Sequence, residues 1–206
     1  MSSDIDKQVE NNPLTKEQSK AQFEEVTKDL GLLHSFNFDE AWDIGLEIRR
    51  RKEFRKNISE LEKQVLKLQA KQSNSNVSNT NPVKHSFVGG CYIREIYNPA
   101  NELIITKIHK KEHPFFLMKG EMSILTEDGI QHIKAPYQGI TKPGTKRAIY
   151  THSECVFITV HATENTTIDD VEDEVVCTKY KDLPDGCDAI DMLKKINLKT
   201  RIINNI

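Results

Sequence analysis

Nowhere in this 206-residue chain are there about 18 consecutive apolar residues, so no stretch reads as a membrane-crossing helix. The four cysteines, Cys91, Cys155, Cys177 and Cys187, form no CxxC pair and keep no regular spacing. With no apolar leader at the N-terminus, they point to a reducing compartment and a soluble protein. The nine glycines build no phosphate-cradling loop, and nothing local suggests a Ser/His/Asp or Cys/His nucleophile. Net charge is only −2, which gives no global reason to expect nucleic acid or a membrane surface. Hydrophobic residues make up 37% and charged residues 29%, too polar a mixture for one globule of this length. Part of the chain must be arm, linker or tail.

The segments follow from that deficit. Residues 1–13 carry almost no apolar side chains and read as disordered. A helical arm occupies 14–71. Thr15 and Gln18 form a capping box ahead of Phe23, Val26 and Leu30 at helical spacing, with an end near Gly31. A second box at Asn37 and Glu40 starts a helix through Trp42, Ile44 and Ile48 to about Lys71, roughly 50 Å long at ~1.5 Å per residue. Within it Phe54, Ile58, Leu61, Val65 and Leu68 make a short coiled-coil seam. A helix of this length needs a partner. That partner is either a second copy, giving a dimer or trimer, or the protein's own first helix or barrel. Self-association stands slightly ahead, because the polar linker 72–84 leaves the arm free. Arg49, Arg50, Arg51, Lys52, Arg55 and Lys56 offer a phosphate-binding patch, but they cannot all share one helix face, and a solvated surface is the simpler reading. Nucleic acid is therefore not the expected partner.

From 85 to 165 the pattern changes to short β-branched and aromatic runs separated by turn residues. Strands are expected at 91–97, 103–109, 115–118, 121–126, 130–134, 138–140, 147–151 and 156–161. Asp128-Gly129 between two of them is a two-residue hairpin signal. Strands at this spacing without intervening helices indicate an all-β sandwich or barrel. The tail, 166–206, opens on the acidic cluster Asp169, Asp170, Glu172, Asp173 and Glu174, and ends in a weak helix around 188–196. Acid in the tail and base in the arm could pair with each other.

Three histidines, His109, His113 and His161, fall on or beside strands. Imidazole is the commonest side-chain metal ligand, and three ligands with open positions make a reactive centre. The segment Lys107-Ile-His109-Lys-Lys-Glu112-His113, followed by Gly120, resembles the first motif of the cupin superfamily. The stretch Lys142-Pro143-Gly144 to Arg147 resembles the second. The resemblance implies a cupin-like antiparallel β-barrel of jelly-roll type, preceded by a helical, partly coiled-coil arm. Aligned on Gly120, His113 takes the family's glutamate position and His109 its second histidine. Lys107 and Arg147 stand where two further histidines belong. Two cations there suit a carboxylate or phosphate better than a divalent metal.

The same phrases, with Ala135-Pro136-Tyr137, Thr159-Val160-His161 and His152, are also similar to small cupin-like proteins of tailed bacteriophages. That implies a bacterial host cytoplasm or a virion as the setting, and a phage structural protein as a candidate partner. The expectation is a non-enzymatic binding or assembly module. Its arm oligomerises it, and an anionic small molecule is held by Lys107, Arg147 and His152. The alternative is an enzyme with one divalent transition metal on His109, His113 and His161 and Glu112 as acid or base. A nucleic-acid regulator working through the basic helix stands third.

Overall fold

The computed structural model describes residues 14–29, 38–72 and 81–202, so the expected disorder at 1–13 and most of the linker lie outside the described residues. The chain divides into two compact units, 1–49 with 193–206, and 50–192. In the first, helix α1 (Lys16–Asp29) begins on the capping box. The Gln18 amide donates to Thr15 Oγ1 at 3.2 Å, and the Thr15 amide to Gln18 Oε1 at 2.9 Å. Lys16 pairs with Asp39 and Asp43, and Lys20 with Asp39, linking α1 to the start of α2 (Phe38–Gln72). No described helix is long and apolar enough to cross a membrane.

The second unit is mainly antiparallel β-sheet in a jelly-roll arrangement. Its strands are β1 (Val83–Val88), β2 (Cys91–Asn98), β3 (Leu103–Ile105), β4 (Ile108–His109), β5 (His113–Lys119), β6 (Glu121–Thr126), β7 (Gly129–Lys134), β8 (Tyr137–Thr141), β9 (Ala148–Thr151), β10 (Cys155–Ala162) and β11 (Val176–Cys177). A five-stranded sheet runs β1-β2-β10-β5-β8 and a four-stranded sheet β3-β9-β6-β7, with β4 and β11 forming a small ribbon. Helices α3 (Ile168–Val175) and α4 (Ala189–Ile202) follow.

Alternation places Phe115, Leu117 and Phe157 of one sheet against Met122, Ile124, Ile133 and Ile149 of the other, and these form the core. Each fully buried side chain contributes roughly 1.5–3 kcal/mol.

Three differences from the sequence reading have local causes. Strand β1 begins inside the expected linker; Lys84, His85 and Ser86 hide its alternation, and Gly89-Gly90, both at positive φ, turn it into β2. The expected strand 103–109 is split. Residues 103–105 pair with β9, whereas Ile108 and His109 pair with β11. In the hairpin Thr126 faces Gly129, so Glu127 and Asp128 form the turn and Gly129 takes the positive φ of 117° just after it.

At the β5–β6 turn Gly120 has φ 91°, and a Cβ there would lie 2.2 Å from the Glu154 carbonyl oxygen and 2.7 Å from Cys155 Sγ. Gly120→Ala is expected to cost about 2–3 kcal/mol, read as a lower urea midpoint at unchanged slope.

The charge clusters find partners inside the second unit. Arg51 and Arg55 of α2 both reach Glu127, Arg51 also reaches Asp128, and Arg55 also binds Asp188 through both terminal nitrogens. Arg50 donates to the Glu127 carbonyl. Half of the basic run is thus engaged by the barrel hairpin and the tail, leaving Arg49, Lys52 and Lys56 exposed. Lys146 pairs with Glu62 at 2.7 Å. Along the seam Ile58 is buried and Leu68 exposed. The acidic helix α3 turns to the barrel instead of the arm. Thr167 caps it, Val171 and Val175 pack on Tyr92, and Glu172 and Glu174 pair with Lys107 and Lys111.

Candidate functional site: a cavity with arginines and histidines

Alternation in β2 and β10 that buries apolar side chains at one end of the barrel sends polar ones inward at the other. In β2 the inward residues are Tyr92, Arg94, Ile96 and Asn98, and in β10 they are Phe157, Thr159 and His161; all line one cavity of about 370 Å³. Ile104, Met122 and Ile149 face them from the second sheet, with Arg147 just before β9, and Val171, Glu172 and Val175 of α3 close one side. The cavity has an apolar body with a few convergent polar groups, the usual form of a small-molecule site.

The three histidines cluster at this cavity, His109 and His161 lining it and His113 packed against both rings. Ring centroids are 4.5 Å apart for His109 and His113, 4.1 Å for His113 and His161, and 6.4 Å for His109 and His161. All three are buried. The His113 Nδ1–H reaches the Lys111 carbonyl at 3.3 Å, which leaves the lone pair on Nε2. His113 Nε2, His109 Nδ1 and His161 Nδ1 are buried without a hydrogen-bond partner.

Burial lowers each ring's pKa, because the charged form loses its hydration. His109 falls to about 2, with His113 and Arg147 adding repulsion. His113 falls to about 3, with His161 adding to burial. His161 falls to about 4, with Arg94 adding to burial and Glu174 opposing it. All three imidazoles are therefore neutral at physiological pH.

The two arginines have few compensating contacts. Arg147 is only 4% exposed. Its guanidinium donates to Thr141 Oγ1 and sits 4.8 Å over the Phe115 ring. Among the described residues no carboxylate pairs with it, and burial alone pushes its pKa down to about 10. Arg94, half-buried on β2, is also shifted down by burial, with Tyr92 and Glu172 acting the other way, and it forms no ion pair among the described residues.

The remaining sequence candidates lie apart. Lys107 reaches the cavity wall, but its ammonium pairs with Glu172 at 2.8 Å, both groups about half exposed. Glu112 is exposed in the loop before β5. His152 lies on the exposed outer face of the four-stranded sheet, where its Nε2 is 2.8 Å from Ser123 Oγ beside the His132 ring. Arg94 was absent from the sequence candidates. Its signal was there: in β2 it shares the parity of Tyr92 and Ile96, so strict alternation turns it inward.

No family model matches the sequence, and no curated protein matches it. Solved structures do. A cupin superfamily protein from Desulfitobacterium hafniense is 10% identical, with a TM-score of 0.37 over 44% of this chain and 84% of that one. A cupin-2 domain protein from Shewanella frigidimarina is 14% identical, with a TM-score of 0.34 over 46% and 91%. Ectoine synthase from P. lautus is 14% identical, with a TM-score of 0.40 over 55% and 86%. Its structural neighbours include cupins. The chemistry of the cavity is read from its own side chains.

Proposed function

We propose that this barrel binds a small organic anion, a carboxylate or phosphate carried on an apolar body. One observation carries the reading: Arg147, buried beside the cavity, is held by a threonine hydroxyl and an aromatic face and by no carboxylate among the described residues. A guanidinium without water or a counter-ion is costly, and an entering oxyanion removes that cost with two parallel N–H donors. Arg94 supplies a second positive group on the same wall. Met122, Ile149 and Phe157 receive the apolar part, and the neutral imidazoles of His109 and His161 offer N–H donors or lone pairs to its polar substituents. Under this reading the chain is a binding module, and its likeness to small phage cupin-like proteins supports a host cell or particle as its setting.

The test uses the metal-free full chain in thermal-shift and calorimetric titrations with inorganic phosphate, succinate and benzoate. At least one should raise the melting temperature saturably, as expected when a ligand binds only the native state. Arg147→Met should weaken that ligand by about 30-fold or more, since removing one side of a buried charge pair costs about 2–5 kcal/mol. The same substitution should leave the ligand-free protein as stable or more so. If no carboxylate or phosphate shifts the melting temperature, the reading fails.

A metal-dependent enzyme stands second, favoured by the three unpartnered ring nitrogens. Neutral imidazoles are ligands for a borderline ion such as zinc, and His109, His113 and His161 would have to draw closer together to hold it. Such an ion would supply Lewis-acid polarisation or an activated water. Among the described residues no three His, Cys, Asp or Glu side chains stand as a group that could hold a metal ion, and two guanidinium groups repel a cation there. Elemental analysis showing one transition metal per chain would reverse the order of the two readings.

A further inference from the structure

The five-stranded sheet has two faces, and the cavity and core use one of them. Because Tyr92, Arg94 and Ile96 point inward on β2 and Phe157, Thr159 and His161 on β10, the residues between them point out. Those residues are Ile93 and Glu95 on β2 and Ile158 and Val160 on β10, with Val156 continuing the β10 row. Phe116 and Met118 of β5 and Ile140 of β8 share this face, with Met118 57% and Ile140 59% exposed. The register aligns them into rows: Ile93 is opposite Val160, and Ile158 is opposite Phe116. Strand β10 thus turns the apolar row Val156, Ile158 and Val160 outward, away from the cavity side that carries Phe157, Thr159 and His161. A sheet face open to water would carry polar residues at these positions instead.

We infer that the outer face of the five-stranded sheet is a self-association surface, and that its occupant is the same face of a second copy of this chain. The helical elements of this unit are engaged elsewhere. Residues 50–62 of α2 hold the β6–β7 hairpin and Lys146, and α3 packs on Tyr92. The sequences 1–13 and 73–80 are too polar to serve, with Met1, Ile5, Val9 and Val77 their main apolar residues.

Charge also favours a copy of itself. The face carries Lys84 and Glu95, opposite in sign and opposite in register, so two such faces meet without net repulsion. A strongly charged partner would gain little there.

The size of the face sets the strength. With strands ~4.8 Å apart and same-face residues ~6.8 Å apart, four strands and three rows cover roughly 400 Å². Pairing two copies hides on the order of 800 Å², the size of a weak, transient contact rather than of a permanent dimer. A reversible, concentration-dependent dimer follows.

Sedimentation equilibrium and light scattering of the full chain across a wide micromolar range test this. Wild type should pass from monomer to dimer. Ile158→Thr with Val160→Thr keeps two β-branched residues in the strand and should weaken the dimer more than tenfold, and Phe116→Glu should abolish it. Should Phe116→Glu fail to fold, the threonine pair decides. A monomer at every concentration overturns the inference. An oligomer insensitive to both variants but dissolved by Leu68→Glu also overturns it and assigns association to the helical arm. Neither result bears on anion binding, which is read separately by titration.

Discussion

The metal-free protein is expected to lose most of its stability between pH 6.5 and about 4.5, taking up close to three protons as it unfolds. His109, His113 and His161 are neutral in the folded protein, with pKa values brought to about 2, 3 and 4 chiefly by burial. In the unfolded chain each returns to about 6.5. Below that pH the unfolded state binds protons that the folded state refuses, so stability is complete above pH 6.5 and falls as the pH drops. Each ring lowers the folding equilibrium constant by roughly a factor of ten per pH unit until its folded-state pKa is reached. Three rings acting together make the fall steep. Urea unfolding at a series of pH values measures the slope directly. His161→Gln should reduce the proton uptake by about one, which separates the cluster from a general acid effect of the carboxylates. Stability that stays level from pH 7 to pH 5 would mean that the rings are hydrated, and that the cavity does not exclude water as described.

Glu127→Gln is expected to destabilise the second unit by about 3–5 kcal/mol, the usual cost of removing one partner from a buried charge network. The Glu127 carboxylate is 8% exposed and receives Arg51 at 2.7 Å and Arg55 at 2.5 Å, each of them also largely buried. Glutamine keeps the shape but removes the charge. It leaves Arg51 with exposed Asp128, and Arg55 with Asp188 and the Tyr180 ring 3.7 Å away. The urea midpoint should fall at a slope that is unchanged or smaller. A smaller slope would show that helix α2 has come away from the hairpin before global unfolding. Salt should restore little of the loss, because buried pairs are poorly screened. A shift below about 1 kcal/mol would place the network with ordinary surface ion pairs and deny it a part in holding α2.

The contrast between these two clusters explains how far the site could be read in advance. The histidines were legible because each lies on or beside a strand, and alternation alone decides which way a strand residue points. Arg94 is equally legible by that rule, but it lies outside the motif-like segments at 107–113 and 142–147. Lys107 shows the limit of motif alignment. Its position suggested a place beside Arg147, yet a flexible four-carbon stem lets the ammonium choose its partner. Glu172, brought close by the packing of α3, offers an ion pair in water instead of an unpaired place in the cavity. His152 sits just past the end of β9 and faces away from the cavity.

The sequence by itself determined the elements. Turn residues and period-two alternation specified most strands of the jelly roll, the capping box specified where α1 begins, and helical spacing specified the long α2. These are local choices, made among residues within a few positions of one another. Only the tertiary structure decided which charges pair. Arg55 meets Glu127 and Asp188, 72 and 133 residues away, and Lys107 meets Glu172, 65 residues away. It also decided that Arg147 ends in a cavity beside three neutral histidines. Composition shows that acid and base are nearly balanced, 31 residues against 29, but the energy of a charge depends on its burial and on its neighbour, and both are set by how the sheets and helices pack.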